Sequence, residues 1–263
     1  MKLVLASVQD PAALNIATRL LELYDFKKYR TLQNAYICEN VLLAKIAHEA
    51  TQITTPPFEV EEVIVASRHA SETGRPSLTV HAPGELEREK LALASPPTIK
   101  SALKELVSAR DELGLPHEVS LEATHHGPAN LGVPVTFVEI GSTPDQWRNE
   151  KAGEAAARAI MASVTLPERC TNAVGFGGPH YAPRHTEVAL RTKIGVGHIF
   201  PKYSALNEKL IRQAVSRTSG EVKVFVLDWN GMSGEQRAIC QRAAAELGIR
   251  PVHAGKILGG EKV

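Results

Sequence analysis

The sequence contains only three cysteines among 263 residues, Cys38, Cys170 and Cys240, and none of them forms a CxxC pair. So small and odd a number excludes a disulfide framework and a zinc ribbon, and it favours a reducing compartment. No apolar run approaches the roughly 18 residues that a membrane span requires. The apolar run at the N-terminus, in MKLVLASVQD, is too short for a signal peptide. The sequence therefore predicts a soluble cytoplasmic protein with no membrane association.

The sequence also has no large excess of positive or negative charge, since it contains 30 Lys and Arg and 29 Asp and Glu. With 43% hydrophobic and 22% charged residues, the composition is that of a globular protein and excludes a disordered chain, a collagen and a coiled coil. The charges are unevenly spread: residues 1–150 have a balance of −6 and residues 151–263 a balance of +7. A basic second part can attract a polyanion, although an uneven solvated surface without a partner explains the same counts.

Short apolar segments alternate with helical patterns in the second half of the chain. The strand candidates are rich in β-branched or aromatic residues: Val119–Ala123, Val133–Ile140, Ala173–Phe176, Ile194–Ile199 and Val222–Leu227. The helix candidates between and after them are Pro144–Met161, Asn207–Arg217 and Glu235–Leu247. This order predicts an α/β fold with a mostly parallel, mixed sheet and helices on both faces.

The first half of the chain is less regular. It has strand candidates at Lys2–Val8 and Val60–Ala66 and an amphipathic helix at Ile99–Leu113, closed by Gly114. The length suits one large α/β domain or two small ones, and no Pro- or Gly-rich stretch resembles an interdomain linker. We therefore predict a single domain over residues 1–263, with an irregular N-terminal half and a regular βα C-terminal half.

Chemically active residue types are concentrated just after the predicted strands. Open parallel sheets bind ligands beyond the carboxyl ends of their strands, and these segments hold Ser67–His69, Thr124–His126, Gly141–Thr143 and His180, with His198 beside another. Neutral imidazole is the common general base and the common ligand of divalent metals. No HExxH spacing is present, so any metal site has to be assembled from several loops. The residues alone predict a hydrolytic enzyme with a histidine-rich site that holds a metal or works without one.

Seven short strings carry a resemblance to a known family. In chain order they are SRHAS at 67–71, LTVHAPG at 78–84, EATHHGP at 122–128, VEIGST at 138–143, GGPHYAPRH at 177–185, GHIFPKY at 197–203 and VLDWNGMSGE at 226–235. Together they resemble the archaeal and plant type of D-aminoacyl-tRNA deacylase, and the resemblance extends from Met1 to about Pro251.

This resemblance implies an activity, a partner and a metal. The implied reaction is hydrolysis of the ester between a D-amino acid and the terminal ribose of tRNA, including aldehyde-modified D-aminoacyl-tRNA, with the L form spared. The partner is then tRNA charged with a D-amino acid, the cofactor is Zn²⁺, and the fold is related to purine-nucleoside phosphorylases and peptidyl-tRNA hydrolases. We expect a monomer or a small homo-oligomer.

Candidate roles follow from the matching strings and, for Lys209 and Arg212, from the positive charge of the second part of the chain. The candidate catalytic residues are His69, His125, His126 and Glu139. The candidate zinc ligands are His81, His126, His180 and His198. The candidate substrate-binding residues are Ser67, Arg68, Gly141, Ser142, Thr143, Lys202, Lys209 and Arg212. The basic residues among them are expected to contact tRNA phosphates.

Two other classes of function stay open on the residues alone. A peptidyl-tRNA hydrolase or a nucleosidase of the same fold is one, because residue spacing does not separate ester hydrolysis from amide or N-glycosidic hydrolysis. A non-catalytic tRNA-binding protein is the other, and the density of His and Glu at the strand ends speaks against it.

Overall fold

A computed structural model describes residues 1–29 and 34–260 of the chain. The strands in these ranges are β1 (Lys2–Ser7), β2 (Lys27–Lys28), β3 (Ala35–Cys38), β4 (Val41–Ile46), β5 (Glu62–Arg68), β6 (Ser77–His81), β7 (Gly84–Glu85), β8 (Lys90–Leu91), β9 (Glu118–Leu121), β10 (Val135–Gly141), β11 (Thr171–Phe176), β12 (Ile194–Phe200), β13 (Val222–Leu227) and β14 (Arg250–His253). The helices are α1 (Pro11–Leu23), α2 (Pro96–Leu113), α3 (Pro144–Trp147), α4 (Glu150–Thr165), α5 (Pro183–Arg191), α6 (Glu208–Ser216), α7 (Gly234–Leu247) and α8 (Ala254–Leu258). Short 3-10 turns cover Ala50–Gln52, Leu86–Arg88 and Trp229–Gly231.

The strands form two main sheets. The larger has eight strands in the order β2-β3-β4-β1-β5-β10-β6-β9, and the smaller has four in the order β12-β11-β13-β14. All pairs of the smaller sheet are parallel, and in the larger sheet β4, β1, β5 and β10 run parallel to one another. The predicted mostly parallel α/β fold is confirmed.

One reversal inside the larger sheet determines where the site lies. Strand β6 runs antiparallel to β10, so that His81 pairs with Phe137 and Thr79 pairs with Glu139. Strand β9 runs parallel to β6, with Leu121 opposite Val80. The carboxyl ends of β6 and β9 therefore lie beside the middle of β10 rather than beyond its end.

The two sheets differ in what covers them. Helices α6 and α7 pack on one face of the smaller sheet, where Leu210 and Cys240 join Phe176 and Phe225 in a buried apolar cluster, and α2 and α5 contact the other face through β12. In the larger sheet α1, α2 and α4 cover one face. The opposite face is covered by irregular segments that contain residues such as Ile53. The smaller sheet therefore has helices on both faces, whereas the larger sheet has helices on one face only in the described part of the chain.

Side chains along β10 alternate between the two faces of the larger sheet, as successive residues of a strand do. Val138 and Ile140 belong to the helix-covered core, whereas Val135 and Phe137 belong to the cluster on the irregular side. Glu139 shares its side with Phe137. The largest apolar cluster contains residues of both sheets, for example Val138 and Val226.

One predicted helix is wrong in its extent. The segment Pro144–Met161 is divided into α3 and α4, because the Asn149 side chain accepts a hydrogen bond from the Ala152 backbone N–H (3.1 Å) and so caps a new helix. The Asn15 amide holds the junction through the carbonyl oxygens of Trp147 (3.0 Å) and Asn149 (2.8 Å). Among the described helices, none has both the length and the apolar character needed to cross a bilayer.

Candidate active site

Two carboxylates are buried at the centre of the irregular face of the larger sheet. Glu139 comes from β10 and Glu122 directly follows β9, and each residue is at most 2% exposed. A charge removed from water in this way is stable only beside an opposite charge or hydrogen-bond donors. Imidazole side chains from four segments supply that environment.

His69, directly after β5, contacts both carboxylates. Its Nδ1 atom lies 3.0 Å from Glu122 Oε1 and 3.6 Å from Glu139 Oε2. Burial alone would lower the pKa of His69, but the two carboxylates outweigh it and raise the pKa to about 11. His69 is therefore a cation at neutral pH. The same contacts hold Glu139 ionised: burial raises its pKa, and the contacts with His69 and His81 outweigh burial and lower it to about 2.

His81 lies at the end of β6 and is 1% exposed. Its ring stacks on that of His125, with centroids 4.3 Å apart, and on that of Phe137 at 5.1 Å. Neither ring nitrogen has a hydrogen-bond partner in the described part of the chain, and Nε2 is 3.8 Å from Glu139 Oε2. A fully buried imidazole without a hydrogen bond is rare in folded proteins, so His81 is a candidate metal ligand.

His125 and His126 are fixed in one tautomer by the backbone. Nδ1 of His125 is 2.8 Å from the Ala123 carbonyl oxygen, and Nδ1 of His126 is 2.7 Å from the Gly127 carbonyl oxygen. A carbonyl oxygen only accepts, so each Nδ1 carries the proton and donates it. Burial, together with the charge of His81, lowers the pKa of both rings, to about 3 for His125. Each ring is therefore neutral, and its Nε2 lone pair is available to a metal or a proton.

His180, which follows β11, completes the set from the smaller sheet. Its Nε2 atom is 3.5 Å from Glu122 Oε2, and its Nδ1 atom is 3.2 Å from the Tyr203 hydroxyl. The backbone joins the two sheets here, because the Ala123 N–H donates to the His180 carbonyl oxygen at 2.7 Å. A second tyrosine, Tyr181, places its hydroxyl 2.8 Å from Nε2 of His69.

A pocket of 690 Å³ opens beside these histidines. Its walls include His125 and His126, the segment Gly84–Arg88 and the segment Tyr203–Ala205. Pockets of a few hundred Å³ hold small ligands or one end of a larger one. His125 and His126 line the pocket, and the buried Glu122 lies 3.6 Å from Nε2 of His125.

Three overlapping sets of side chains in the described residues could hold a metal ion. The sets are His81 with His125 and His126, His69 with Glu122 and His180, and His81 with Glu122 and Glu139; in each, the possible ligand atoms lie within 4.8 Å of one another. The first set fits a divalent metal best. Hydrogen bonds to the backbone keep Nε2 of His125 and of His126 unprotonated, and the third residue, the buried His81, has no hydrogen-bond partner at either ring nitrogen in the described part of the chain.

The structure brings most of the candidate catalytic and metal residues together. His69, His81, His125, His126, His180 and Glu139 all belong to the cluster. His198 does not: it is a fully buried residue of β12 whose Nδ1 atom is 3.2 Å from Thr124 Oγ1 and whose Nε2 atom is 3.0 Å from the Ala92 carbonyl oxygen. Both ring nitrogens of His198 therefore lie within hydrogen-bond distance of groups within the fold, one of which is the Thr124 side chain.

Several candidate substrate-binding residues point away from the pocket. Ser67 and Arg68 belong to β5. The Arg68 guanidinium forms an ion pair with Glu49 at 2.9 Å, outside the histidine cluster. Ser142 is 4% exposed, and its hydroxyl donates to the Arg75 carbonyl oxygen at 2.7 Å.

Gly141 and Thr143, the neighbours of Ser142 in the sequence, do not form an anion-binding site. Gly141 is the buried last residue of β10, and Thr143 precedes a helix of four residues, too short to provide an anion-binding terminus.

The three basic candidates lie on the surface of the second part of the chain. Lys202 is exposed and directly precedes Tyr203. Lys209 forms an ion pair of 2.6 Å with Glu89, and Arg212 forms one with Glu246.

Glu122, Tyr181 and Tyr203 were missed by reasoning from residue types. Glu122 directly precedes the Ala-Thr-His-His segment at the end of a predicted strand, so its position carried a signal. The two tyrosines had no such signal in the sequence, because only the approach of the smaller sheet brings their hydroxyl groups to His69 and His180.

Comparison with known proteins identifies the family. A family model described as D-aminoacyl-tRNA deacylase matches residues 57–252, a span that includes every member of the buried cluster. The chain belongs to the D-aminoacyl-tRNA deacylase family. The resemblance noted in the sequence is confirmed.

Curated relatives named D-aminoacyl-tRNA deacylase agree with this assignment. The protein of Pyrococcus furiosus is 36% identical over 268 residues, which cover 95% of this chain and 98% of the relative. The protein of Methanosarcina acetivorans is 42% identical over 207 residues, which cover 75% of this chain and 68% of the relative. Among solved structures, a conserved protein of unknown function matches with a TM-score of 0.88 and 30% identity, covering 100% of this chain and 98% of its own. The match to the deacylase of Pyrococcus furiosus therefore covers 95% of this chain, and the structural match covers all of it.

Proposed function

We propose that this chain hydrolyses the ester between a D-amino acid and the terminal ribose of tRNA, releasing the free D-amino acid and tRNA. The observation that carries the proposal is the pair of neutral imidazoles, His125 and His126, at the wall of a pocket, backed by two buried carboxylates and the cationic His69. The names of the relatives supply the substrate. The same chemistry applies to D-aminoacyl-tRNA whose amino group carries an aldehyde-derived substituent.

An aminoacyl ester is already activated, so the enzyme has three tasks. It must hold a water molecule, accept the proton that this water loses, and stabilise the negative charge that develops on the carbonyl oxygen.

The neutral rings perform the first two tasks. The Nε2 atoms of His125 and His126 carry lone pairs, since both Nδ1 protons are donated to backbone carbonyl oxygens. A water molecule in the pocket can donate to Nε2 of His126 and lose its proton to it in the transition state. His125 is too weak a base to take that proton, because its pKa is about 3. The backbone hydrogen bonds keep the rings oriented, so little reorganisation is needed when the substrate binds.

The third task needs hydrogen-bond donors or a positive charge near the carbonyl oxygen, and the cationic His69 is our candidate for it. Its charge is maintained by Glu122 and Glu139, while its Nε2 side contacts the Tyr181 hydroxyl at 2.8 Å. A cationic imidazole cannot act as a base. We therefore assign His69 to charge stabilisation, reaching the ester through Tyr181, in place of the base role open to it from the sequence.

As the alternative to a role as bases, we propose that His81, His125 and His126 hold a zinc ion, since an Nε2 lone pair that binds a metal cannot also accept a proton. Three imidazoles with a free fourth position form the ligand set of catalytic zinc sites, and the unpartnered buried nitrogens of His81 support a ligand there. A bound zinc ion would lower the pKa of its water to about 7. Ligation needs neutral imidazole, so the proton that Glu139 favours on His81 would be released on binding. The set shares His81 and His126 with the four ligands expected from the sequence.

The tRNA body is proposed to lie against the basic second part of the chain. Lys202 supports this because it is exposed and adjacent to Tyr203 of the pocket wall. A phosphate contact there would direct the 3′ end of the tRNA towards the histidines. The cytoplasmic location and a monomeric or small oligomeric state stay predictions.

The experiment that tests the function compares enantiomers on one tRNA. Release of radiolabelled D-tyrosine and of L-tyrosine from charged tRNA is measured with purified protein, over a blank without protein. We expect hydrolysis of the D ester with little loss of the L ester. Equal rates on the two esters would contradict the proposal, and so would cleavage of peptidyl-tRNA or a free nucleoside in place of the D ester.

A further inference from the structure

One carboxylate in the pocket has no part in the mechanism above. Glu85 lies in the pocket wall on the two-residue strand β7, beside the histidine pair, and its side chain is 30% exposed. The other acidic residue of the wall, Glu87, is exposed.

The backbone fixes Glu85 relative to the histidines. The N–H of the preceding residue, Gly84, donates to the carbonyl oxygens of His126 at 2.7 Å and His125 at 3.2 Å. Gly84 itself sits so close to the wall that a Cβ atom would lie 2.7 Å from side-chain carbons of Leu91 and Thr124. On the other side, Glu85 Oε1 approaches Gly127, where a Cβ atom would lie 3.2 Å from it. The carboxylate is therefore held against the turn that carries His126.

The charge of Glu85 is only weakly neutralised by the protein. Its ion-pair partner is Arg88, whose side chain is 73% exposed and whose Nη1 atom is 3.4 Å away, and an exposed pair of this kind contributes little. The neighbouring imidazoles of His125 and His126 are neutral, so they do not compensate it either. The wall therefore offers a partly desolvated negative charge to whatever occupies the pocket.

The proposed substrate has a cation at the matching place. The α-ammonium group of an aminoacyl ester is two bonds from the carbonyl carbon that reacts. A side chain that binds it must line the same pocket as the groups that activate the water, and Glu85 lines the pocket together with His125 and His126. An N-acylated ester, such as the end of a peptidyl-tRNA, has a neutral amide at that position and cannot form the charged hydrogen bond.

We propose that Glu85 binds the α-ammonium group of the substrate, so that the enzyme selects esters with a cationic amino group over N-acylated esters. This inference rests on the proposed function, since it concerns the same pocket and reaction. The expected substrates are esters whose amino group is cationic, that is, free or N-alkylated. Esters with an N-acyl group are excluded because that group is neutral.

The test measures kcat/KM on three esters of one tRNA: D-tyrosyl, N-methyl-D-tyrosyl and N-acetyl-D-tyrosyl. In the wild-type protein the two cationic esters should be hydrolysed at similar rates, because methylation adds bulk and keeps the charge. The N-acetyl ester should be about 10- to 100-fold poorer, the range expected for loss of a hydrogen bond between charged groups.

The decisive variant is Glu85→Gln, which keeps the shape and removes the charge, with Glu87→Gln as the matched control on the exposed rim. Glu85→Gln should lose about 10- to 100-fold on both cationic esters and nothing on the N-acetyl ester, so the selectivity disappears. Glu87→Gln should retain it.

Three results would overturn the inference. A folded Glu85→Gln protein with unchanged selectivity would remove Glu85 from amino-group recognition while leaving the hydrolase intact. So would a wild-type protein that hydrolyses the N-acetyl ester as fast as the free ester. Hydrolysis of none of the three esters by the wild-type protein would overturn the proposed function and this inference with it.

Discussion

Glu122 Oε1 lies 3.0 Å from Nδ1 of His69, and both side chains are shielded from solvent. The other oxygen of the same carboxylate faces Nε2 of His180 at 3.5 Å and Nε2 of His125 at 3.6 Å. One carboxylate thus contacts three imidazoles from different parts of the chain. Burial raises the pKa of Glu122, and the contacts with His180 and His69 outweigh it, so the pKa falls well below its usual value.

The first prediction concerns this carboxylate. Glu122→Gln removes one of the two charges that keep His69 protonated, so the pKa of His69 should fall from about 11, and kcat should drop by about 100-fold or more. Imidazole titration by NMR and single-turnover hydrolysis measure the two effects. Glu118→Gln, an exposed change on β9, the strand that Glu122 directly follows, is the control. A folded Glu122→Gln protein with wild-type kcat would show that the buried charge has no role in the reaction.

The second prediction concerns the histidines of the two sheets. His126→Ala and His180→Ala should each lower kcat by about 100- to 10,000-fold with little change in tRNA affinity, because phosphate contacts lie elsewhere. If zinc is held as proposed, metal analysis should show reduced occupancy in His126→Ala, and a chelator should reproduce the loss of activity. The exposed His48 serves as the control through His48→Ala. Activity that survives complete removal of zinc would discard the metal and leave the histidines as acid–base groups.

The third prediction concerns the tyrosine hydroxyls, which act through the imidazoles they contact. Tyr181→Phe removes the 2.8 Å contact with His69, and Tyr203→Phe removes the 3.2 Å contact with His180. Each should lower kcat by about tenfold, leave KM nearly unchanged and shift the pH profile of kcat. Tyr36→Phe, on β3 away from the cluster, should change nothing. A pH profile identical to that of the wild-type protein would reduce the tyrosines to packing residues.

The fourth prediction concerns stability in acid. Burial lowers the pKa of His198 to about 4 from 6.5, so the folded protein binds fewer protons than the unfolded chain between these values. The stability contributed by neutral His198 is therefore fully present above pH 6.5 and is lost as the pH falls to about 4, by about 3 kcal/mol. Urea unfolding at several pH values should show this slope, and His198→Asn should reduce it. An unchanged slope in the variant would place the acid sensitivity at other groups.

The fifth prediction concerns tRNA binding. Each phosphate contact should add about −0.7 to −0.9 to the log–log slope of affinity against salt, and Lys202→Ala should reduce the magnitude of that slope by about one contact. Changing Lys209 and Arg212 together to Ala should weaken binding and leave the turnover of bound substrate unchanged. Because both residues already pair with carboxylates, their effect per residue should be smaller than that of Lys202. A slope near zero in the wild-type protein would show that phosphates are not the main contacts.

The sequence by itself determined the alternation of strands and helices in the second half of the chain, because strand periodicity, helix caps and turn residues act over a few neighbours. It also located the chemistry, since His69, His125, His126 and His180 all follow predicted strands. Local signals failed where a distant residue decides the outcome: helix α4 begins at Glu150 partly because Asn15 holds the junction in front of it.

Only the tertiary structure decided how the site is built. The antiparallel placement of β6 beside β10 brings His81 to the neighbourhood of Glu139, and strand direction is a non-local choice that no short segment encodes. The approach of the smaller sheet adds His180, Tyr181 and Tyr203. It also separates His198 from the other histidines, because β12 turns that side chain towards Thr124 and Ala92. Burial and neighbouring charges then set the protonation states: two carboxylates outweigh burial at His69, which is a cation, whereas burial and the charge of His81 keep His125 neutral.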